Sequence, residues 1–169
     1  MKTYQAIIET PFSFLGVLTA DEFVISIDFL PLASKPEPFV SSDLTQNLQQ
    51  QIQCYLSHSL DQFDVPLKPE GTEFQRSVWQ LLQSIKPGDT LTYGEAAEQL
   101  NSSPRAVGNA CRRNPIPLII PCHRVVAKNG LGGFAGKTQG EVFNIKRWLL
   151  AHEMHNNGAE FELEVVDSY

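Results

Sequence analysis

Cys122, His123 and Arg124 stand side by side, directly after the apolar run Ile116-Pro117-Leu118-Ile119-Ile120-Pro121. A thiol attacks as its thiolate, and an unperturbed pKa of about 8.5 leaves only a few per cent ionised at pH 7. A neighbouring imidazole and guanidinium are groups that raise this fraction. Cysteine in apolar surroundings usually behaves as a small hydrophobe. Against that, Pro121 interrupts any strand ladder just before the thiol, and two polar residues follow where a core strand would stay apolar. The tripeptide alone therefore supports packing and nucleophilic chemistry about equally, and the rest of the chain has to decide.

A length of 169 residues suits one ordinary domain or two small ones. Cys54, Cys111 and Cys122 are an odd number without framework spacing, which predicts free thiols in a reducing compartment. Glu9 and Pro11 break the first apolar stretch, so it lacks the core of a signal peptide. No run approaches the roughly 20 apolar residues of a membrane span. The expectation is an intracellular, cytoplasmic protein of bacterial type, off the membrane. Net charge is −6, yet from Arg105 to Arg147 eight basic residues stand against Glu141 alone, a local +7 that leaves −13 on the remainder. A basic stripe on an acidic body is the footprint of polyanion binding.

The elements that must carry these residues read in two parts. Tyr4–Glu9, Phe14–Leu18 and Phe23–Leu30 have strand composition, with Thr19-Ala20-Asp21-Glu22 as a hairpin connection. Leu44, Leu48, Ile52, Tyr55 and Leu56 then form the stripe of a helix opening after Ser41-Ser42-Asp43. The aperiodic stretch 57–71, with Pro66, Pro69 and Gly71, places a boundary that divides the chain into 1–68 and 69–169. Thr72-Glu73-Phe74-Gln75 is a capping box for a helix with Phe74, Val78, Leu81 and Leu82 on its apolar face, ending near Pro87-Gly88. A second box, Thr92-Tyr93-Gly94-Glu95, opens a short helix. Ser103 and Pro104 cap and begin the next, which runs through Arg105 to Arg113. Two short helices joined by a tight polar turn read as a helix-turn-helix.

The second of these helices carries small residues, Ala106, Gly108 and Ala110, between Arg105 at its start and Arg112 and Arg113 at its end. A major-groove reader would present long hydrogen-bonding side chains instead. Small residues with basic ends predict close, sequence-tolerant contact of the minor-groove kind. Beyond Cys122 the loop Asn129–Gly136 is rich in glycine. It formally matches a dinucleotide fingerprint, but too little chain remains for the parallel sheet which that site needs. Its expected use is close approach of backbone to a substrate. A last helix spans about 142–153.

Taken together, Pro121-Cys122-His123-Arg124-Val125, Arg105-Ala106-Val107-Gly108, Asn114-Pro115-x-Pro117 and Leu149-Leu150-Ala151-His152-Glu153 resemble, in order, the motifs of the O6-alkylguanine-DNA alkyltransferases, the methylated-DNA–protein-cysteine methyltransferases. The match runs from about Thr72 to Glu153. The resemblance implies an α/β fold: a ribonuclease-H-like sheet and helix over 1–68, then a mostly helical DNA-binding and alkyl-acceptor domain over 69–169. It implies that Cys122 accepts the alkyl group once, that His123 removes its proton through a water while Glu153 orients the imidazole, and that Asn114 braces the turn. Arg105 would enter the base stack in place of the damaged nucleotide. Tyr93 would help rotate that nucleotide out and bond the guanine. Thr92, Ala106, Gly108, Ala110 and Arg112 would complete the DNA face, and Pro117, Cys111, Val125, Phe134 and Ala135 the substrate pocket. Some members have Tyr-Ser where this chain has Phe134-Ala135, and its loop 137–141 is longer than in compact members.

The implied partner is double-stranded DNA containing O6-alkylguanine, with O4-alkylthymine a related substrate; the protein would act as a monomer without cofactor. No metal is expected, since Cys54 and His58 supply only two candidate ligands. Three other classes share some of these features. A lesion-flagging alkyltransferase-like protein would lack Cys122. A transcription regulator would not need Pro-Cys-His-Arg, and a cysteine hydrolase would not need the basic helix.

Overall fold

The computed structural model describes residues 2–133 and 140–155. Strands β1 (Ala6–Glu9), β2 (Phe14–Ala20), β3 (Phe23–Leu30) and β4 (Phe39–Val40) form an antiparallel sheet in the order β3-β2-β1-β4. Strand alternation sends Ala6, Ile8, Leu15 and Val17 into the core, and a register shift at Leu18/Thr19 lets β3 bury both Val24 and Ile27. The hairpin is tight: Ala20 pairs with Phe23, and Asp21 turns the chain at φ 54°. Helix α1 (Asp43–Leu56) is capped by Ser42, whose hydroxyl accepts from the Thr45 amide while Thr45 bonds back to the Ser42 amide. It buries Leu48, Ile52 and Tyr55.

The stretch 57–71 contains a structural element that its composition did not reveal. Val24 donates to the Pro66 carbonyl at 2.9 Å and accepts from the Lys68 amide at 3.0 Å, so this segment lies along the outer side of β3. Helix α2 (Glu73–Gln83) opens at the expected Thr72–Gln75 box but ends four residues before Pro87. Its buried face is Val78, Trp79 and Leu82, whereas Phe74 remains 36% exposed. Phe74 sits in the first turn, ahead of the buried residues of the helix. Trp79 takes its place inside and donates Nε1–H to the Ala110 carbonyl at 2.9 Å.

Three further helices complete the chain: α3 (Tyr93–Gln99), α4 (Pro104–Arg112) and α5 (Glu141–His155). Helix α3 is capped by Thr92 with Glu95, and α4 by Ser103 with Pro104 in its first turn. Strands β5 (Leu91–Thr92) and β6 (Val125–Val126) pair in parallel. That short ladder brings the start of α3 beside the Cys122–Arg124 turn, a contact between residues some thirty positions apart. One continuous hydrophobic cluster runs from Ala6 in the sheet through α1, α2 and α4 to Leu149 in α5. Among the described residues no helix is long and apolar enough to cross a membrane.

Candidate active site

Cys122, His123 and Arg124 form a single 3-10 turn, entered through Pro121 and left into β6. All three are buried, so the polar pair that looked out of place beside a thiol does not face solvent. The turn is anchored from behind. Asn114 Nδ2 donates to the Ile120 carbonyl at 2.8 Å and its Oδ1 accepts from the Ile116 amide at 3.0 Å, closing the loop that carries Pro117 and the left-handed Leu118 at φ 74°. The Cys122 amide adds a bond to the Ile120 carbonyl at 2.8 Å.

Helix α5 supplies the polar groups that face this turn. Lys146, Leu150 and Glu153 recur at i, i+4 and i+7, which puts them on one side of the helix and two turns apart end to end. Glu153 meets His123: Oε1 lies 2.6 Å from Nε2. It also holds Arg124, with Nε at 3.0 Å from Oε2 and Nη2 at 2.9 Å from Oε1, while Arg124 Nη1 donates to the Ile85 carbonyl. The expectation that this guanidinium assists the thiol is therefore corrected, because its hydrogen bonds are spent on the carboxylate and on Ile85. Burial alone would push the Glu153 carboxyl up, but His123 and Arg124 outweigh it and hold the group well below the usual carboxylate range.

An ionised carboxylate can only accept, so the proton of the 2.6 Å bond belongs to His123 Nε2 and the lone pair to Nδ1. Burial keeps this imidazole below its ordinary pKa, only partly offset by Glu153, with Arg124 and Lys146 adding to the lowering. His123 Nδ1 is buried and makes no hydrogen bond to a protein atom among the described residues. It is the basic atom of the site, and it is neutral at physiological pH.

Burial also pushes the Cys122 thiol up, against the opposing pull of the Asn114 side chain and the Lys146 ammonium. Lys146, which the sequence offered only as one charge in a basic stripe, is completely buried. Its Nζ donates to the carbonyls of Val125 at 2.7 Å and Gly133 at 2.9 Å. Burial lowers its pKa to about 8, countered in part by the nearby thiols of Cys122 and Cys111. The Tyr93 ring lies under this ammonium at 5.9 Å, and the Tyr93 hydroxyl reaches the Gly133 carbonyl at 3.4 Å. Burial, with the two thiols, raises Tyr93 to about 12, so its hydroxyl stays a donor. Gly132 holds φ +72°, and a Cβ there would come within 2.9 Å of the Tyr93 ring. Only glycine lets the loop pass this close.

The residues expected to face DNA divide. Arg105 and Arg112 are exposed at the two ends of α4, and Ala106 and Gly108 are half-buried between them. Gly108 backs onto Tyr93, where a Cβ would sit 3.8 Å from the ring. Thr92 is half-buried, its hydroxyl accepting from the Glu95 amide as the α3 cap. Ala110 does not belong to this face. It is 2% exposed and turned inward, with its carbonyl under Trp79, so no groove can reach it. Cys111 and Val125 are buried beside the thiol's turn, and Pro117 is half-buried in the Asn114 loop. Phe134, Ala135 and the residues 137–139 of the longer loop lie outside the described residues.

Fold and site together define a class: a mixed α/β protein with a buried cysteine, a histidine–carboxylate pair behind it, and at its side two short helices, the second with arginines at both ends. The profile for the 6-O-methylguanine DNA methyltransferase DNA-binding domain matches residues 73–155. The methylated-DNA–protein-cysteine methyltransferase of Methanosarcina acetivorans is 39% identical over 157 residues, covering 89% of this chain and 97% of its own. That of Haemophilus influenzae is 36% identical, covering 83% of each. The crystal structure of Mycobacterium tuberculosis O6-methylguanine methyltransferase superposes with a TM-score of 0.75 at 32% identity, over 91% of this chain and 94% of that one. The same organism's OGT in complex with DNA gives 0.74 at 34%, over 89% and 92%. The chain belongs to the methylated-DNA–protein-cysteine methyltransferase family.

Proposed function

We propose that this protein repairs DNA directly, moving the alkyl group of O6-alkylguanine in duplex DNA onto Cys122, once per protein molecule. The observation that carries this reading is the buried Cys122 turn with His123 and Glu153 behind it and the α3–α4 pair beside it. A carbon on O6 of a stacked base is out of reach of a buried thiol, so the nucleotide must leave the helix to react. Arg105, exposed in the first turn of α4, fills the space it vacates. Tyr93, at the seam between α3 and the Cys122 turn, donates to the rotated base.

His123 Nδ1 takes the thiol proton through a bridging water, with Glu153 stabilising the imidazolium. The thiolate attacks the alkyl carbon. The S–C bond forms as the C–O6 bond breaks, the electron pair passes into the purine, and a proton returns to it to give guanine. The product on the protein is a thioether, which water does not cleave as it does a thioester. Cys122 is therefore consumed and the reaction is stoichiometric. O4-alkylthymine carries the same reacting group and belongs to the same substrate class.

The DNA complex of the tuberculosis relative supports DNA as the partner, and the three unpaired cysteines favour the reducing cytoplasm. The protein would act as a monomer, with 1–68 as a supporting domain and 69–169 as the reacting one.

Direct reversal leaves intact guanine in an intact strand. A duplex with one O6-methylguanine inside a restriction site that methylation blocks should become cleavable after incubation with the protein. A nick or an abasic site at that position would contradict the proposal. Arg105→Ala should slow repair of duplex DNA on the order of 10²-fold, the scale of a lost positioning contact, yet change reaction with free O6-benzylguanine far less. Equal losses on both would remove Arg105 from base extrusion. Because the His123 pKa is lowered, the transfer rate should hold steady as pH falls to about 6.5 and decline only below it, as Nδ1 gains its proton. A decline centred above pH 7 would exclude His123 as the base.

A further inference from the structure

Glu153 collects donors from two separate parts of the chain, α1 and the Cys122–Arg124 turn. Besides His123 and Arg124, its Oε1 accepts the hydroxyl of Tyr55 at 2.8 Å. Tyr55 sits in the last turn of α1, within the part of the chain that carries none of the family motifs, and is 3% exposed. It is fixed to α5 twice: the hydroxyl donates to Glu153, and the Tyr55 carbonyl pairs with His152 Nε2 at 3.0 Å. Its ring packs on Phe63 and His152, with centroids 5.7 and 5.2 Å away. Burial and the Glu153 charge push its pKa well above the ordinary phenol value, so the hydroxyl is a permanent donor.

A carboxylate beside an imidazole stabilises the imidazolium and so raises the pKa of the ring. Every further donor on that carboxylate weakens the effect. Arg124 contributes such donors but brings a full positive charge of its own, whereas the Tyr55 hydroxyl withdraws charge from Oε1 without altering the net charge of the site. We infer that Tyr55 is a positioning residue for the proton transfer, holding Oε1 against His123 Nε2–H and drawing off enough of its charge that Nδ1 stays unprotonated. This rests on the reading of His123 as the acceptor of the thiol proton. It makes α1, and with it the amino-terminal sheet that α1 packs on, part of the acceptor site.

Among the described residues the charged and titratable groups around His123 are few. Cys122 and Arg124 share its turn, Lys146, His152 and Glu153 come from α5, and Tyr55 comes from α1. Asp61 and Lys86 line a cavity of about 180 Å³ on the far side of Tyr55 and Arg124. Of these, only Tyr55 can lose its polar atom while the charge of the site and the packing of a ring are both kept.

The test is a titration of His123 by NMR with 13C-labelled histidine, run beside the pH dependence of methyl transfer, on the full chain. Tyr55→Phe should raise the His123 midpoint by roughly half a unit to one unit, the size expected when a hydrogen bond to a neighbouring charge is removed. The acid limb of the transfer rate should rise with it, and affinity for undamaged duplex should not change. Phe63→Leu, which loosens the packing of the Tyr55 ring but keeps its hydroxyl, should leave the midpoint where it is. An unchanged midpoint in Tyr55→Phe overturns the inference, including a His123 that stays neutral in both proteins down to acid unfolding. So does an equal shift in Phe63→Leu. If the midpoint rises while the acid limb of the rate stays put, the hold of Tyr55 on His123 stands and His123 is not the base.

Discussion

Cys122→Ser should abolish methyl transfer while leaving the protein folded and bound to DNA. The exchange keeps the size of a buried side chain but replaces a thiol with a hydroxyl, whose ionisation lies far beyond the reach of one imidazole. Serine nucleophiles rely on a base in direct contact, and here His123 Nδ1 has no hydrogen bond to the protein. The loss should be about six orders of magnitude, the scale on which removal of a nucleophile is felt in other enzymes. Retained affinity for O6-methylguanine duplex, measured by anisotropy, separates lost chemistry from lost structure. Transfer by Cys122→Ser at the wild-type rate would place the acceptor elsewhere, with Cys111 the next thiol in line.

Glu153→Ala should have the largest effect on the fold. Glu153 is the sole anionic partner of Arg124 among the described residues, and both are buried. Truncation leaves a guanidinium with the Ile85 carbonyl as its remaining partner and strips His123 and Tyr55 of their acceptor. Breaking one side of a buried ion pair costs about 3–5 kcal/mol, much of the stability of a domain this size. Urea unfolding should show the midpoint falling steeply in Glu153→Ala and less in Glu153→Gln, which keeps an acceptor oxygen. Transfer should be nearly lost in both, because neither side chain can stabilise the imidazolium. An unfolding midpoint for Glu153→Ala equal to that of wild type would mean that Arg124 is solvated, contrary to its burial.

Local signals in the sequence located most of the helices. The boxes Thr72–Gln75 and Thr92–Glu95, and Ser103 before Pro104, are contained within four residues, so their starts were legible and the structure reproduces them. Features that depend on partners far along the chain were not. Strands β4, β5 and β6 are two residues each and carry no period of their own; β5 and β6 exist because Leu91 meets Val125. Phe74 and Trp79 flank the same helical stripe, and the one that is buried is the one whose indole meets the distant Ala110 carbonyl. At the site, adjacency in sequence misled for Arg124, which turns to a carboxylate on α5 and away from the thiol beside it. Lys146 reads as a solvated charge until Val125 and Gly133 are seen to present carbonyls to it. Its seven-residue spacing from Glu153 was the one available hint, since both then face the same way. Nothing around Tyr55 distinguished it from the other core positions of an amphipathic helix.

On the proposed chemistry Cys122 is a single-use acceptor. Wild-type protein incubated with an excess of duplex DNA carrying one O6-methylguanine, then digested and weighed by mass spectrometry, tests it directly. The peptide containing Cys122 should gain one methyl group in place of one proton, peptides containing Cys54 and Cys111 should be unchanged, and the methyl lost from DNA should equal the protein present and then stop. Continued loss of methyl from DNA with an unmodified Cys122 peptide would contradict the account.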